Sequence, residues 1–212
     1  MTFAMSQDLN LKSHSTALDE ETARAEVYGL LSQLFYAAPQ EALLSQLQVA
    51  VTEAPNAGGF LEEPWRDLVA SARSLNQAQI ASEFNSLFGG VGKPEVYLFG
   101  SHYISGFLNE KPLVRLRDDL AELGLGRSQG MSETEDHVAY VFEVMRFLIA
   151  GDDVSVSNLT RQQAFFNLHV QPWLPALCQV LLEHPRAVFY ARLAAFTQAF
   201  ISVESQGFDL VD

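Results

Sequence analysis

Between Val138 and Ile149 only Glu143 and Arg146 interrupt an apolar run whose members fall on every side of a helical repeat. A helix without a polar face has nothing to offer water, so it belongs in the middle of a domain with the rest of the chain wrapped around it. Directly before it stands Glu133-Thr134-Glu135-Asp136-His137, charge at the mouth of a buried element. Ser132 and Glu135 have the S-x-x-E spacing of a capping box, which predicts a helix starting at Ser132 with Glu135 reaching back to its amide. Glu133, Asp136 and His137 are left with no local task.

Helical periodicity dominates the remainder as well, and strand alternation is nearly absent. The pattern predicts helices over 18–37, 40–53, 64–75, 77–88, 111–124, 158–169, 172–183 and 186–205. Turn residues mark loops at Pro55–Gly59 and Gly89–Pro94. No internal repeat, low-complexity tract or Gly/Ser- or Pro-rich linker divides the 212 residues. We therefore expect a single all-α domain, a bundle of roughly eight to eleven helices. It spans residues 16–212 behind a flexible segment 1–15, with a hinge near 89–95.

Charge and cysteine usage narrow the function classes. With 26 Asp and Glu against 13 Lys and Arg, the net charge of −13 opposes a phosphate backbone and favours basic partners, which argues against nucleic acid. Cys178 is the only cysteine, so neither a disulfide framework nor a Cys-x-x-Cys pair exists, and a reducing compartment is expected. Met1 to Thr16 lacks a basic stretch followed by an apolar one, so no export signal is expected and the chain should be cytoplasmic. Residues 162–182 carry no formal charge, yet Gln162, Gln163, Asn167, His169, Gln171, Pro172, Pro175 and Gln179 speak against a membrane span. They read as two core helices meeting at Pro172.

Catalytic and metal signatures are weak. Gly92-Lys93 lacks the P-loop frame, because Leu87 and Pro94 stand where Gly and Ser or Thr are required. No two of His14, His102, His137, His169 and His184 have the i, i+3 or i, i+4 spacing of helical metal ligands, and no metal or cofactor is expected. Cys178 and His184 read as a core thiol and a helix-end imidazole. Asp136 and His137 resemble an acid/base dyad, but neighbours on a helix point about 100° apart. The helix instead aligns Glu133, Asp136, Tyr140 and Glu143 at steps of three and four. Either Asp136 satisfies a backbone amide or a neighbouring arginine, or the stripe receives a cation, for which a guanidinium held bidentately is the best fit. Tyr97, Phe99, His102, Tyr103 and Phe107 are similarly open: they are core, or they line a partly exposed groove. Acids beside an apolar groove would suit a peptide that is basic at one end and hydrophobic after it.

On these residues the chain resembles the TorD/DmsD/NarJ group of cytoplasmic chaperones for redox-enzyme maturation. The family signature E-P-x-D-H is met by Glu133, Asp136 and His137, with Thr134 in place of the proline, an exchange that a first helical turn accommodates. Two further segments are similar to the TorD-type branch. They are Gly106-Phe107-Leu108-Asn109-Glu110-Lys111-Pro112-Leu113, and Gln162-Gln163-Ala164-Phe165-Phe166-Asn167-Leu168-His169 followed by Gln171-Pro172-Trp173. The similarity runs from Glu21 to Phe208. It implies an all-α TorD-like fold, no enzymatic activity, and binding of the twin-arginine signal peptide of an apo-molybdoenzyme, which is held until its cofactor is inserted. Carried onto this chain, the peptide-binding positions are Asp136 and His137 with Glu133 as first acid, and Tyr97, His102, Tyr103 and Phe107 near the groove. The client, a formate dehydrogenase or an N- or S-oxide reductase, is not readable, and nothing locates the weak guanine-nucleotide binding attributed to some members. The competing readings are an all-α nucleotide-binding enzyme using Asp136 or His137 as base, and a structural subunit of an oligomer. A chaperone of this kind would be a monomer or homodimer.

Overall fold

The computed structural model describes residues 14–52, 59–89, 93–128 and 130–210, with side chains described from residue 20 onward. Most of the expected flexible segment 1–15, the loop before Gly59 and the centre of the expected hinge at 89–95 lie outside the described residues. Within them the chain forms ten α-helices and one π-helical turn. No strand occurs among the described residues beyond a single antiparallel bridge between Phe99 and His137. The all-α expectation holds.

The order is α1 (His14–Tyr36), α2 (Glu41–Val49), α3 (Glu62–Ser74), α4 (Gln77–Phe88), α5 (Gly100–Ser105) and α6 (Lys111–Glu122). Then come α7 (Val138–Ala150), α8 (Leu159–Phe165), the π turn (Phe166–Val170), α9 (Leu174–Glu183) and α10 (Phe189–Asp209). Helix α7 is the helix without a polar face. It buries Val138, Val141, Phe142, Met145 and Leu148 and runs along α1, whose Tyr28 and Phe35 meet it and whose Leu31 and Leu34 are buried in the same core. Phe142 lies between Tyr28 and Phe35, at ring-centre distances of 5.8 and 6.1 Å. Burying each such ring contributes about 2–3 kcal/mol, so this seam is a main source of cohesion. On the other side α10 packs against α9 and α3, and Phe200 closes on Tyr28 edge-on at 4.9 Å.

The core tolerates charge only where it is answered. Arg24 of α1 donates from Nε and Nη2 to the two carboxylate oxygens of buried Glu204 on α10, at 2.7 and 2.9 Å. Tyr28 donates to the same carboxylate at 3.0 Å, and Arg24 Nη1 to Gln162 of α8 at 3.2 Å. The amide of Gln162 in turn donates to the Leu148 carbonyl of α7. Four helices are tied by one satisfied network, the condition under which buried polar groups are tolerated. Glu83 of α4 caps α10 from outside, accepting the amides of Val188, Phe189 and Tyr190 at 2.8, 3.0 and 2.9 Å.

Two local expectations are corrected. The uncharged stretch 162–182 does not divide simply at Pro172: α8 passes into the π turn, closed by the Gln171 amide donating to the Phe166 carbonyl, before α9 starts at Leu174. No helix of the described residues is long and apolar enough to cross a membrane. More consequentially, the central helix starts at Val138 behind a His137 cap, five residues later than the Ser132 cap predicted.

Candidate functional site

The late start of α7 reorganises the acidic cluster. His137 is the N-cap: its Nδ1 accepts the Ala139 amide at 3.2 Å, and its carbonyl accepts the amides of Tyr140 and Val141. An accepting Nδ1 places the proton of the neutral ring on Nε2. Glu135 does not reach back to Ser132. It turns to α6, where Arg117 donates from Nε and Nη2 to Glu135 Oε2 at 3.0 and 2.8 Å. Burial, the largest single influence, would raise the Glu135 carboxyl, but the Arg117 bond, a backbone amide bond and the charges of Arg117 and Arg127 together outweigh it and hold the pKa below its usual value.

Asp136 resolves toward the first of its two readings. It is 4% exposed and accepts the buried Ser101 amide on Oδ2 at 2.9 Å and the Thr134 hydroxyl on Oδ1 at 2.6 Å. It therefore caps α5 from across the fold, supplying an acceptor to a helix end whose first amides have none of their own. The backbone repeats the connection, with Gly100 N–H donating to the Asp136 carbonyl and Val138 N–H to the Leu98 carbonyl, at 2.9 and 2.8 Å. The entrances of α5 and α7 are thus fastened together. The predicted stripe is corrected with this: Tyr140 and Glu143 ride on α7, but Glu133 and Asp136 precede it.

Around this fastening the predicted residues fall into two groups. His137, 5% exposed, has Phe99 edge-on at 5.1 Å, Tyr140 at 5.7 Å and Tyr36, from the end of α1, at 6.3 Å. Burial lowers its pKa from 6.5 to about 4 against the opposing pull of Asp136, so the ring is neutral at physiological pH. The Tyr140 hydroxyl is buried beside Tyr36, Ser132 and the Glu133 backbone, but none of these meets it with hydrogen-bond geometry. Glu133 is half-buried in the loop next to it. The second group is a stack: Tyr97 lies on His102 at 4.2 Å, His102 meets Tyr103 edge-on at 5.0 Å, and Tyr103 stacks on Trp173 at 5.9 Å. Tyr103 donates to the Tyr97 carbonyl at 2.8 Å, and burial raises its pKa. Phe107 stands outward, 69% exposed, just past Gly106, whose φ of 81° makes the turn.

Glu143 lies on the next part of α7, half-exposed and paired with Arg146 at 2.9 Å. Tyr36, Arg117, Ser101, Thr134 and Trp173 belong to the site and were not singled out from the sequence. Thr134, in the signature itself, and Trp173 stood in segments that carry the family resemblance; Tyr36, Ser101 and Arg117 did not. Cys178 is buried, and burial pushes its thiol up to about 12.

The junction of the α5 and α7 entrances thus holds two engaged carboxylates, Glu135 and Asp136, and a neutral histidine among aromatic rings. Among the described residues no group of three or more His, Cys, Asp or Glu side chains could hold a metal ion. The sequence profile described as nitrate reductase delta subunit matches residues 56–179, more than half of the chain, and this chain belongs to that family. It is 26% identical over 202 residues to the chaperone protein TorD of Vibrio cholerae serotype O1, covering 88% of this chain and 92% of that one. Its identity to the TorD chaperones of Vibrio vulnificus and Vibrio atlanticus is 26% over 199 residues and 25% over 200, each covering 86% of this chain and 93% of the relative. The resemblance to the TorD/DmsD/NarJ group read from residues 133–137, and to its TorD-type branch from 106–113 and 162–173, is thereby upheld.

Proposed function

We propose that this protein is a cytoplasmic redox-enzyme maturation chaperone that binds the twin-arginine signal peptide of an apo-molybdoenzyme and holds the enzyme until its cofactor is inserted. The observation that carries the reading is family membership together with TorD chaperones similar across nearly the whole chain. The geometry lends support in two ways. Net charge of −13 favours a basic ligand, half-buried Glu133 lies by exposed Tyr36, and half-exposed Glu143 shares a groove with exposed Phe147. Exposed ion pairs contribute only ~0.2–1 kcal/mol each, against about 25 cal/mol per Å² of buried apolar surface. Apolar burial then sets most of the affinity and the acids set selectivity.

In this reading Asp136 and His137 are positioning residues. They fix the α5 and α7 entrances, while Glu133, Tyr140, Glu143 and the stack of Tyr97, His102 and Tyr103, with Phe107, present surface. A hydrolase using Asp136 or His137 as base is disfavoured, since both are buried and both accept hydrogen bonds from the backbone. The test is calorimetric titration with a peptide carrying two adjacent arginines followed by a leucine- and alanine-rich segment. Tight binding lost on exchange of both arginines for glutamine supports the reading, and equal binding of both peptides refutes it.

A further inference from the structure

Two grooves meet on one edge of α7. The first, of about 430 Å³, is walled by Leu120, Leu125, Met131, Val144 and Phe147 and is predominantly apolar. The second, of about 780 Å³, lies between α1 and α7 and carries the carboxylates of Glu21, Glu26 and Glu143. They are continuous through Glu143, Arg146, Ala150 and Gly151, which line both. Arg146 sits at the junction. Its stem crosses α1 at Gly29, where an added Cβ would come within 2.9 Å of Arg146 Cδ, and its Nε donates to Glu143 at 2.9 Å. Of the three carboxylates, Glu143 alone is ion-paired among the described residues.

We infer that this double groove seats the basic-then-apolar segment of the partner peptide, and that Arg146 is a resident guanidinium that the peptide's arginine displaces from Glu143. The inference rests on the peptide-binding reading above and locates its site. Charge complementarity selects the occupant: three carboxylates face one guanidinium in the cleft, and the adjoining walls want an apolar chain. A guanidinium already lies in the cleft with one bond to a carboxylate that can accept two. The incoming arginine therefore meets a preformed place, and loss of the Glu143–Arg146 pair offsets part of its gain. Arg146 and Glu143 are half-exposed, so the exchange needs no opening of the core.

The test is titration of the same arginine-leucine peptide into Arg146→Gln, Glu143→Gln and Phe147→Ser, with Arg66→Gln as a remote control of equal charge change. Arg146→Gln should tighten binding by about fivefold, the upper end for an exposed ion pair, while Arg66→Gln stays within about twofold of the parent. Glu143→Gln and Phe147→Ser should each weaken it. Gly29→Ala removes no charge but pushes the Arg146 stem off α1, and should tighten binding in the same sense. Equal effects of Arg146→Gln and Arg66→Gln, or unchanged affinity in Glu143→Gln and Phe147→Ser, would overturn the groove assignment while leaving the chaperone reading standing. Failure of every variant and of the parent to bind the peptide would overturn both. Sedimentation that shows the groove variants dissociating a dimer of the parent, with no peptide competition, would assign the groove to a second copy of the chain and also overturn the inference.

Discussion

Asp136 offers the sharpest separation between a residue that touches the ligand and one that builds the face. In Asp136→Ala the buried amide of Ser101, 1% exposed, loses its acceptor, and no water can readily replace it. An unsatisfied buried donor costs ~1–3 kcal/mol, and losing a negative charge at a helix start adds ~0.3–1 kcal/mol. With a urea dependence of about 2–3 kcal/mol per molar for a chain this long, the unfolding midpoint should fall by roughly 1 M. Asp136→Asn behaves differently, because its carbonyl oxygen can still accept from Ser101 while its amide turns to the Thr134 hydroxyl, so its cost should stay near 1 kcal/mol or less. Both variants are to be followed by circular dichroism in urea and by peptide calorimetry at matched folded fraction. If Asp136 positions the entrances, Asn retains most of the affinity and Ala loses it. Asn as damaging to binding as Ala, with little loss of stability in either, would show a carboxylate pairing directly with the peptide and refute the positioning argument.

The other expectations are quicker to state. His137 is neutral in the fold, its pKa lowered from 6.5 to about 4, so protonation penalises the folded state. Its contribution, on the order of 3 kcal/mol, is fully present above pH 6.5 and is lost as pH falls toward 4. His137→Asn, which can still cap α7, should flatten that limb of the pH–stability curve, and peptide affinity in the parent should show no His137 titration between about pH 5.5 and 8. Glu204→Ala, which strands Arg24 at 19% exposure, should cost ~3–5 kcal/mol in chemical unfolding, against ~1 kcal/mol for Tyr28→Phe. Gly151→Ala places a methyl 2.8 Å from the Phe147 carbonyl and against Ser157, and should lower the melting temperature.

Two similar sequence patterns, of which only the second is read as a cap from the sequence, show what local spacing can and cannot decide. Asn76-x-x-Gln79 and Ser132-x-x-Glu135 both spell a reciprocal helix cap. The first forms one, Asn76 accepting the Gln79 amide and Gln79 accepting the Asn76 amide, both at 2.9 Å. The second does not, because Glu135 finds Arg117 on α6 and Asp136 finds Ser101, 35 residues away. Local spacing cannot weigh a distant partner. The apolar periodicity of α7 and the leucines of α6 were legible because a burial pattern is written in one segment. The fastening of Phe99 to His137, the part played by Tyr36 and the π turn are tertiary outcomes and leave no local mark. The candidate acids were therefore recognisable as a set, but which of them are buried and engaged, as Glu135 and Asp136 are, and which keep solvent exposure, as Glu143 does, required the fold.

The bridge between Phe99 and His137 joins residues 38 positions apart, and all of α6 lies within the loop it closes. Closing such a loop is entropically unfavourable until the contacts at its base form. A nascent chain that has emerged only as far as α6 already carries Tyr97, His102, Tyr103 and Phe107, yet it lacks the α5–α7 junction. The junction comes into being only when α7 docks, so the order of synthesis delivers these aromatic side chains before the helix entrance that fixes their surroundings.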